Sequence, residues 1–564
     1  MKQNQKILFT LILITIFSLS SISAITSASL YDRDSFTVRA INYLALGSQI
    51  TGIYDSFPVT GASVLYTFNQ IDRSSLNEKQ KALYDKIKNN LNKSANLINS
   101  SDGFSSNIQL PITFESFLYE TSDNSKLKYY ELNNQFKDIS PWFDFRTQLY
   151  FSNNVFGYTQ FAIKDKLNYS LRDDASNFDL NLNSLFSIPK GGTSFEIYQP
   201  YKIGISIGDE HYNFQLGKNR LSMGSGISGN FFIGDNFIKQ DYFSFSLLSP
   251  IFSYTLNVTQ FDQQDSSLNF ASISFNGKQQ YRVMHKVKVN LLKNLSLDVY
   301  QGAIYQVDSL NYRMIIPFMY VHNYFNFKDR KIISEGDEAN NILGFQTKWV
   351  LSKSNEINFI VTFDQIQVFE SGEEFPQAYG ILLNYKRSKT LGDGIVNESI
   401  EAVYTSPYLY LNEKYDKNSD SSYTLNYNYD HIVGNNYGSN DEIGYSGYYY
   451  GPDTILLNYN YKYYDVDDWS LGSSLTLRIH GTKGINYNND DNNGDIIDEV
   501  LSNIIVGTPE TIISFTPNGS IKLSNNLFIS SYLSINYIKN HYNDTSNDSF
   551  YNIQGKIKVK LNLF

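Results

Sequence analysis

The side chains able to do chemistry are scattered along this chain. The 6 histidines stand at positions 211, 285, 322, 431, 480 and 541. They form no H-E-x-x-H and no other pair at ligand spacing, so no metal centre is expected. There are 0 cysteines, which removes disulfides, thiolate metal sites, a cysteine nucleophile and a lipid-bearing Cys after export. Asp430 and His431 are neighbours, but adjacent residues on a strand point to opposite faces and cannot act together there. A G-x-S-x-G elbow is absent. The stretch Asn488 to Glu499 comes near a calcium loop around Gly494. It puts Asn489 first and Val500 twelfth, where a bidentate Glu is needed, and so reads as a solvated loop. Neither catalysis nor a cofactor is expected.

What the residue types do suit is sugar binding. A sugar needs flat rings against its C–H faces and polar groups for its hydroxyls. The run Tyr448, Tyr449, Tyr450, Gly451 and the pair Tyr408, Tyr410 offer rings. Arg220, Asp235, Asn236, Arg282, His285, Asp364 and Glu401 offer polar contacts. Each set has a plainer reading beside it. The tyrosines also suit an interfacial aromatic girdle, and the charged residues also suit an ion-pair network bracing a barrel wall.

These residues need elements to carry them. Lys2 and Lys6 precede an apolar run from Ile7 to Phe17, then a Ser-rich stretch with Ala24 and Ala28. That is the layout of a cleavable export signal, expected over residues 1–28. No later segment is apolar for 18 consecutive residues, so helical membrane spans are not expected. Tyr 45 and Phe 39 are abundant, yet the net charge is −10. A barrel whose strands face lipid on one side and water on the other needs this mixture. The acidic balance and the lack of a Lys/Arg cluster speak against nucleic-acid binding.

Residues 29–105 are expected to form a periplasmic helical segment. Asp34 precedes Phe36, Val38, Ile41, Leu44 and Ala45 at helical spacing, and Gly47 can close the helix. Pro58 opens a second segment with Val64, Leu65 and Phe68. Ser75 and Glu78 form a capping-box pattern ahead of a stripe of Leu76, Leu83, Ile87, Leu91 and Ala95. The opposite face holds Lys79, Lys81, Lys86, Lys88 and Lys93, a solvated basic face. The stripe needs a surface, and the periplasmic mouth of the barrel is expected to supply it.

From Gln109 onward the period is two. Phe143, Phe145, Thr147, Leu149 and Phe151 alternate with Asp144, Arg146, Gln148 and Tyr150. The same grammar recurs at Tyr201–Ile207, Tyr212–Leu216, Tyr242–Leu248, Val283–Leu291, Ile357–Phe363, Leu456–Tyr464 and Leu471–Ile479. Residues 106–564 are thus expected to form an all-β, antiparallel transmembrane barrel of roughly 16–18 strands. Residues 412–447, 484–500 and 540–549 are candidate extracellular loops. In the last strand Tyr551, Ile553, Ile557, Val559, Leu561 and Leu563 face lipid, opposite Asn552, Gln554, Lys556, Lys558 and Lys560. Phe564 resembles the terminal aromatic read by the outer-membrane insertion machinery, although its phase needs a bulge to turn it outward.

Several ordered segments together resemble the capsule assembly protein Wzi family. They are Ile41–Gly47 with Pro58–Thr60, Leu216–Arg220, Met223–Gly226, Phe232–Asn236 and Tyr281–Lys286. Pro317, Asn340–Asn341, Phe363–Asp364, Glu401 with Thr405 and Pro407, and Tyr450–Pro452 follow in order. Gln301 stands where that family carries an acidic residue. The resemblance implies an outer-membrane barrel with an N-terminal helical part that engages capsular or other surface polysaccharide without catalysis. The alternative from the generic pattern is a porin-like diffusion channel. Expected partners are surface polysaccharide, outer-membrane lipid and the insertion machinery, with the chain acting as a monomer.

Overall fold

The computed structural model describes residues 26–33, 35–53, 56–100, 105–122, 140–165, 195–235, 237, 239–261, 279–310, 315–316, 338–365, 378–392, 394–410, 412–417, 423–428, 432–437, 440–465, 469–482, 504–524, 526–545 and 549–563. Ala24, Asp34, Asn236, Pro317, Asp430, His431, the 484–500 stretch and Phe564 lie outside the described residues, as do the side chains of Lys93 and Ala95.

Alternating residues assemble into a closed antiparallel barrel of 18 strands. They are β1 (Ser105–Gln109 continued by Pro111–Thr121), β2 (Phe143–Ser152), β3 (Val155–Asp165), β4 (Phe195–Gly208), β5 (Tyr212–Asn219) and β6 (Gln240–Leu248). Next come β7 (Phe252–Gln260), β8 (Gln279–Leu292), β9 (Leu295–Val307), β10 (Glu338–Ser352), β11 (Asn355–Gln365) and β12 (Ala378–Leu391). The last are β13 (Gly394–Thr405), β14 (Thr454–Tyr464), β15 (Trp469–His480), β16 (Glu510–Lys522), β17 (Leu527–Lys539) and β18 (Phe550–Asn562). β18 closes the barrel against β1, with Ile557 opposite Ser116. The halves of β1 divide the work: Pro111–Thr121 pairs with β18, while Ser105–Gln109 pairs with β2.

The expected faces are the observed ones. On β4, Ile203, Ile205 and Ile207 are exposed to the outside, and on β18 Tyr551 and Ile557 are exposed while Asn552, Gln554 and Lys556 are buried inside. An apolar band of this kind would be costly in water and matches hydrocarbon. Connections alternate in length. Turns such as 153–154, 209–211, 249–251 and 293–294 mark one end, and the long connections mark the other.

The helical segment sits at the short-turn end. It comprises α1 (Phe36–Gly47), α2 (Gly61–Gln70) and α3 (Glu78–Ser100). The Ser35 side chain accepts from Val38 N at 3.3 Å and caps α1. Gly47 is the last residue of that helix, and a Cβ there would lie 2.5 Å from the Gln80 amide of α3, so glycine lets the two helices approach. The capping box of α3 is Asn77 with Gln80 rather than Ser75 with Glu78. Gln80 N donates to Asn77 Oδ1 at 2.9 Å and Asn77 N to Gln80 Oε1 at 3.1 Å. Asn and Gln offer the same reciprocal chemistry two residues later, and Ser75 belongs to a preceding turn, Arg73–Ser75. The Leu76, Leu83, Ile87, Leu91 stripe packs mainly on Val38, Ile41, Leu44, Val64 and Phe68 of the other helices. The barrel contributes Ile395, so the three helices largely make their own core.

The segment preceding α1 is anchored as well. Thr26, Ala28 and Ser29 are buried, Gly61 N donates to Ser29 O at 2.7 Å and Ala62 N to Ser27 O at 2.9 Å. A cut after Ala28 would remove part of this anchor and a cut after Ala24 would keep it. Mass spectrometry of the protein from outer membranes is expected to find Thr26–Ala28 retained.

Candidate functional site

The lumen is organised by two connections that fold inward. The first joins β5 to β6. Within it Ser222–Met223 pairs with Ser56–Phe57 of the helical segment, and Arg33 donates to Gly224 O at 3.0 Å and Gly226 O at 3.1 Å. Gly224 has φ +124 and a Cβ there would strike the Asn230 side chain, so only glycine suits the bend. Asn230 then ties the loop to itself, accepting from Gly226 N at 2.9 Å and donating to Ser222 Oγ at 2.9 Å. The second connection joins β13 to β14. Its Tyr410 hydroxyl donates to Phe231 O at 2.8 Å and accepts from Tyr448 N at 2.9 Å. Gly234 N donates to Ser446 O at 2.9 Å. The two connections therefore hold one another.

The barrel wall meets them with apolar and polar contacts. Leu221, Met223, Phe231, Phe232 and Ile233 from the first connection pack with Leu409, Tyr410 and Tyr448 from the second. Tyr242, Met284, Tyr300, Ile342, Ile360, Leu382, Val403 and Leu456, all inward on strands between β6 and β14, complete this cluster. Phe232 stacks on Tyr300 with centroids 4.0 Å apart and planes at 7°. Such a layer makes the lumen here a protein core, not a water-filled space.

Several sequence candidates are the polar part of this bracing. Glu401 is 0 % exposed; it accepts from Ile227 N at 2.7 Å, Ser228 N at 2.7 Å, Ser228 Oγ at 2.5 Å and Asn384 Nδ2 at 2.9 Å. Asp364 accepts from Tyr410 N at 2.6 Å. Arg282 donates to Ser446 O at 3.1 Å, Gln240 Oε1 at 2.6 Å and Thr259 Oγ1 at 2.9 Å. Arg220 donates to Asp235 O at 2.9 Å, with its carboxylate 3.7 Å away. Tyr408 is buried in the apolar cluster. The wall-bracing alternative thus describes these side chains well.

His285 is placed elsewhere. Met284 and Lys286 face inward, toward the apolar cluster and Ser56 respectively, so strand alternation turns His285 outward. Its neighbour across the sheet is Gln301, and the Tyr254 hydroxyl lies 2.8 Å from its Nδ1. It is buried on the outer face, beside a cluster of Leu256, Val258, Val283, Ala303 and Tyr305 against which Leu310 and Ile315 pack. It does not join the lumen residues.

The long-connection end holds a different constellation, which combines Tyr449 and Tyr450 of the tyrosine run with residues that no motif had marked. Tyr449 is half-buried and meets Tyr450 edge-on, with centroids 4.9 Å apart. Arg478 lies over the Tyr450 ring at 5.0 Å. Its guanidinium also donates to Glu510 Oε2 at 2.8 Å, and His541 Nδ1 lies 2.7 Å from Glu510 Oε1. Arg478, Glu510 and His541 come from the ends of β15 and β16 and the turn after β17. Sequence spacing carries no signal for them because the pairing of β15 with β16 and of β16 with β17 is what brings them together. Arg478, Glu510 and His541 are buried and fix the two rings from behind, and partly exposed rings suit the C–H face of a polyol.

No protein-family model and no curated protein matches the sequence. Solved structures do. The barrel is similar to Wzi of Escherichia coli, described as an outer membrane protein involved in group 1 capsule assembly and a carbohydrate-binding β-barrel. The TM-score is 0.57 at 11% identity, covering 95% of this chain and 99% of that one. OprD of Pseudomonas aeruginosa is similar at TM-score 0.38 and 8% identity, over 81% of this chain and 96% of that one. The outer membrane channel DcaP of Acinetobacter baumannii is similar at TM-score 0.34 and 8% identity, over 82% of this chain and 98% of that one. The last two likenesses are too distant to add to the fold. The chain is an outer-membrane β-barrel with the fold of Wzi over nearly its whole length.

Proposed function

We propose that this barrel is a non-catalytic, monomeric protein that engages capsular or other surface polysaccharide at its long-connection end. The observation that carries the reading is the pair of inward connections clamped to one another and packed on the wall from β6 to β14. A diffusion channel needs open lumen, and this arrangement fills that part of it with core. The half-buried Tyr449–Tyr450 rings, backed by the buried set of Arg478, Glu510 and His541, supply the face that a polymer would meet. The carbohydrate-binding description of Wzi agrees with this class of ligand.

The test is binding of purified surface polysaccharide to the protein in detergent, with Tyr449→Ala as the variant. Loss of a ring from the contact is expected to weaken binding by roughly tenfold, about 1.4 kcal/mol. A deletion strain is expected to shed its surface glycan layer. Normal glycan retention in that strain, together with a purified barrel that ignores the polymer, would sink the reading.

A further inference from the structure

A second enclosed space lies at the opposite end of the barrel. Between the helical segment and the inner wall of β6–β8 is a cavity of about 420 Å³. Ser244, Ser246, Ser253 and Thr255 form its wall side, and Ser63, Tyr66 and Gln70 of α2 form its lid. Leu221, Met223 and Ile233 of the first inward connection close its inner end. Its outer end meets solvent, where Tyr66, Gln70, Leu291 and Lys293 are exposed.

Among the described residues the charges that line this cavity are of one sign. Lys286 lies deep, buried, with Asp298 at 3.6 Å behind it. Lys288 stands two residues nearer the mouth on the same inward face, across the strand pair from Asp298, and Lys293 stands at the edge. Among the described residues no Asp or Glu lines the space, although the whole chain carries a net charge of −10. Cations on a low-dielectric wall concentrate anions in a cleft. The volume falls within the range of small-molecule sites.

The lining discriminates among anions. An inorganic anion would use the lysines and leave the surrounding hydroxyls and amides without partners. A neutral sugar would use the hydroxyls, which both donate and accept, and gain nothing from the lysines. A carboxylate on a polyhydroxylated ring uses both, and Phe57 and Pro58 in the lining give its C–H face an apolar surface. We infer that this mouth cavity binds an acidic sugar unit, a uronate, entering from the short-turn end with its carboxylate toward Lys288. The ligand class rests on the carbohydrate reading above, but the site is separate from the Tyr449–Arg478 cluster.

The experiment is calorimetric titration of the full chain in detergent with glucuronate, an oligogalacturonate, glucose and inorganic phosphate. Glucuronate is expected to bind, with glucose and phosphate at least about tenfold weaker. Binding of the oligomer as well would mark the natural ligand as a chain end, and its exclusion would mark a free monosaccharide. Lys288→Met is expected to weaken glucuronate at least about tenfold, Lys288→Arg to retain it, and Ser253→Trp to abolish it by filling the space. Heat-modifiable gel migration checks that each variant is folded. No binding of glucuronate, equal binding of glucose or phosphate, or unchanged binding in folded Lys288→Met or Ser253→Trp would overturn the inference. Polysaccharide binding measured on the same variants keeps the two sites apart: its loss in Tyr449→Ala alone concerns the rim, and its survival in Lys288→Met leaves the rim reading standing whatever the cavity does.

Discussion

The wall from β6 to β14 and the wall formed by β15–β18 with β1–β3 follow the same alternation, yet their inner faces are satisfied in different ways. The first presents Tyr242, Met284, Tyr300, Ile342, Ile360, Leu382, Val403 and Leu456 to the inward connections. The second presents mostly polar residues that bond along the wall itself. Thr516 Oγ1 and Ser534 Oγ are 3.3 Å apart, Ser534 Oγ donates to Asn536 Oδ1 at 3.0 Å, and Asn536 Nδ2 donates to Asn552 Oδ1 at 3.2 Å. Glu115 holds Lys556 at 3.0 Å and Lys558 at 3.4 Å. Arg146 donates to Asp144 at 2.7 Å. An enclosed polar wall must satisfy its own hydrogen bonds, whereas an apolar one needs something to pack against. The plug and the apolar wall therefore require each other, and the polar wall requires neither.

Removing the plug gives the sharpest test of that contrast. Replacing residues 221–237 by a short Gly/Ser linker is expected to turn a nearly silent barrel into one with stable conductance in planar bilayers. Large conductance in the unaltered protein would break the comparison and favour a porin. A smaller effect is expected from Phe232→Ala, which removes the ring stacked on Tyr300. It should cost about 3–5 kcal/mol in urea unfolding from lipid vesicles, against roughly 1 kcal/mol for Asn536→Ala on the polar wall. Equal costs would mean that the two walls are not distinguished by packing. Glu401→Gln keeps the shape but turns an acceptor into a donor toward Ile227 N or Ser228 N. A loss of roughly 1–3 kcal/mol is expected, along with faster hydrogen exchange at those two amides.

The smallest effect belongs outside both walls. Arg73 donates to Asp85 at 2.9 and 2.8 Å on the exposed face of the helical segment, and this bond holds the Asp85 carboxyl below the ordinary carboxylate range. A lowered folded-state value means that the pair's contribution is present above the ordinary Asp value of 3.8 and is lost as pH falls through the folded value. Arg73→Ala should therefore leave conductance untouched and shift the melting temperature only slightly at pH 7. Differential scanning calorimetry should find that slight difference vanishing in acid.

Much of the architecture was legible beforehand. Period-two faces, the strand range and the helical N-terminal segment all follow from local composition. The candidate residues were only partly legible. Glu401, Asp364 and Arg282 are polar and inward as their strands require, but their partners are backbone atoms of loops. His285 sits on an odd-numbered face of β8, and its outward direction follows from Met284 and Lys286 pointing in. That phase was ambiguous in sequence because the outer face of β8 is itself buried there. Arg478, Glu510 and His541 were invisible, since 32 and 31 residues separate their hydrogen-bonded pairs.

Alternation and helical spacing need only neighbours within a turn or a pleat, so the sequence by itself determined a membrane barrel with a helical segment at its head. Glu401 meets Ile227 across 174 residues and Arg282 meets Ser446 across 164. Contacts at such separations exist only after β18 has closed on β1 and the long connections have turned inward. The tertiary structure alone therefore decided that part of the lumen is a core, which charged residues brace it, and that the Tyr449 and Tyr450 rings stand over Arg478 at the long-connection end.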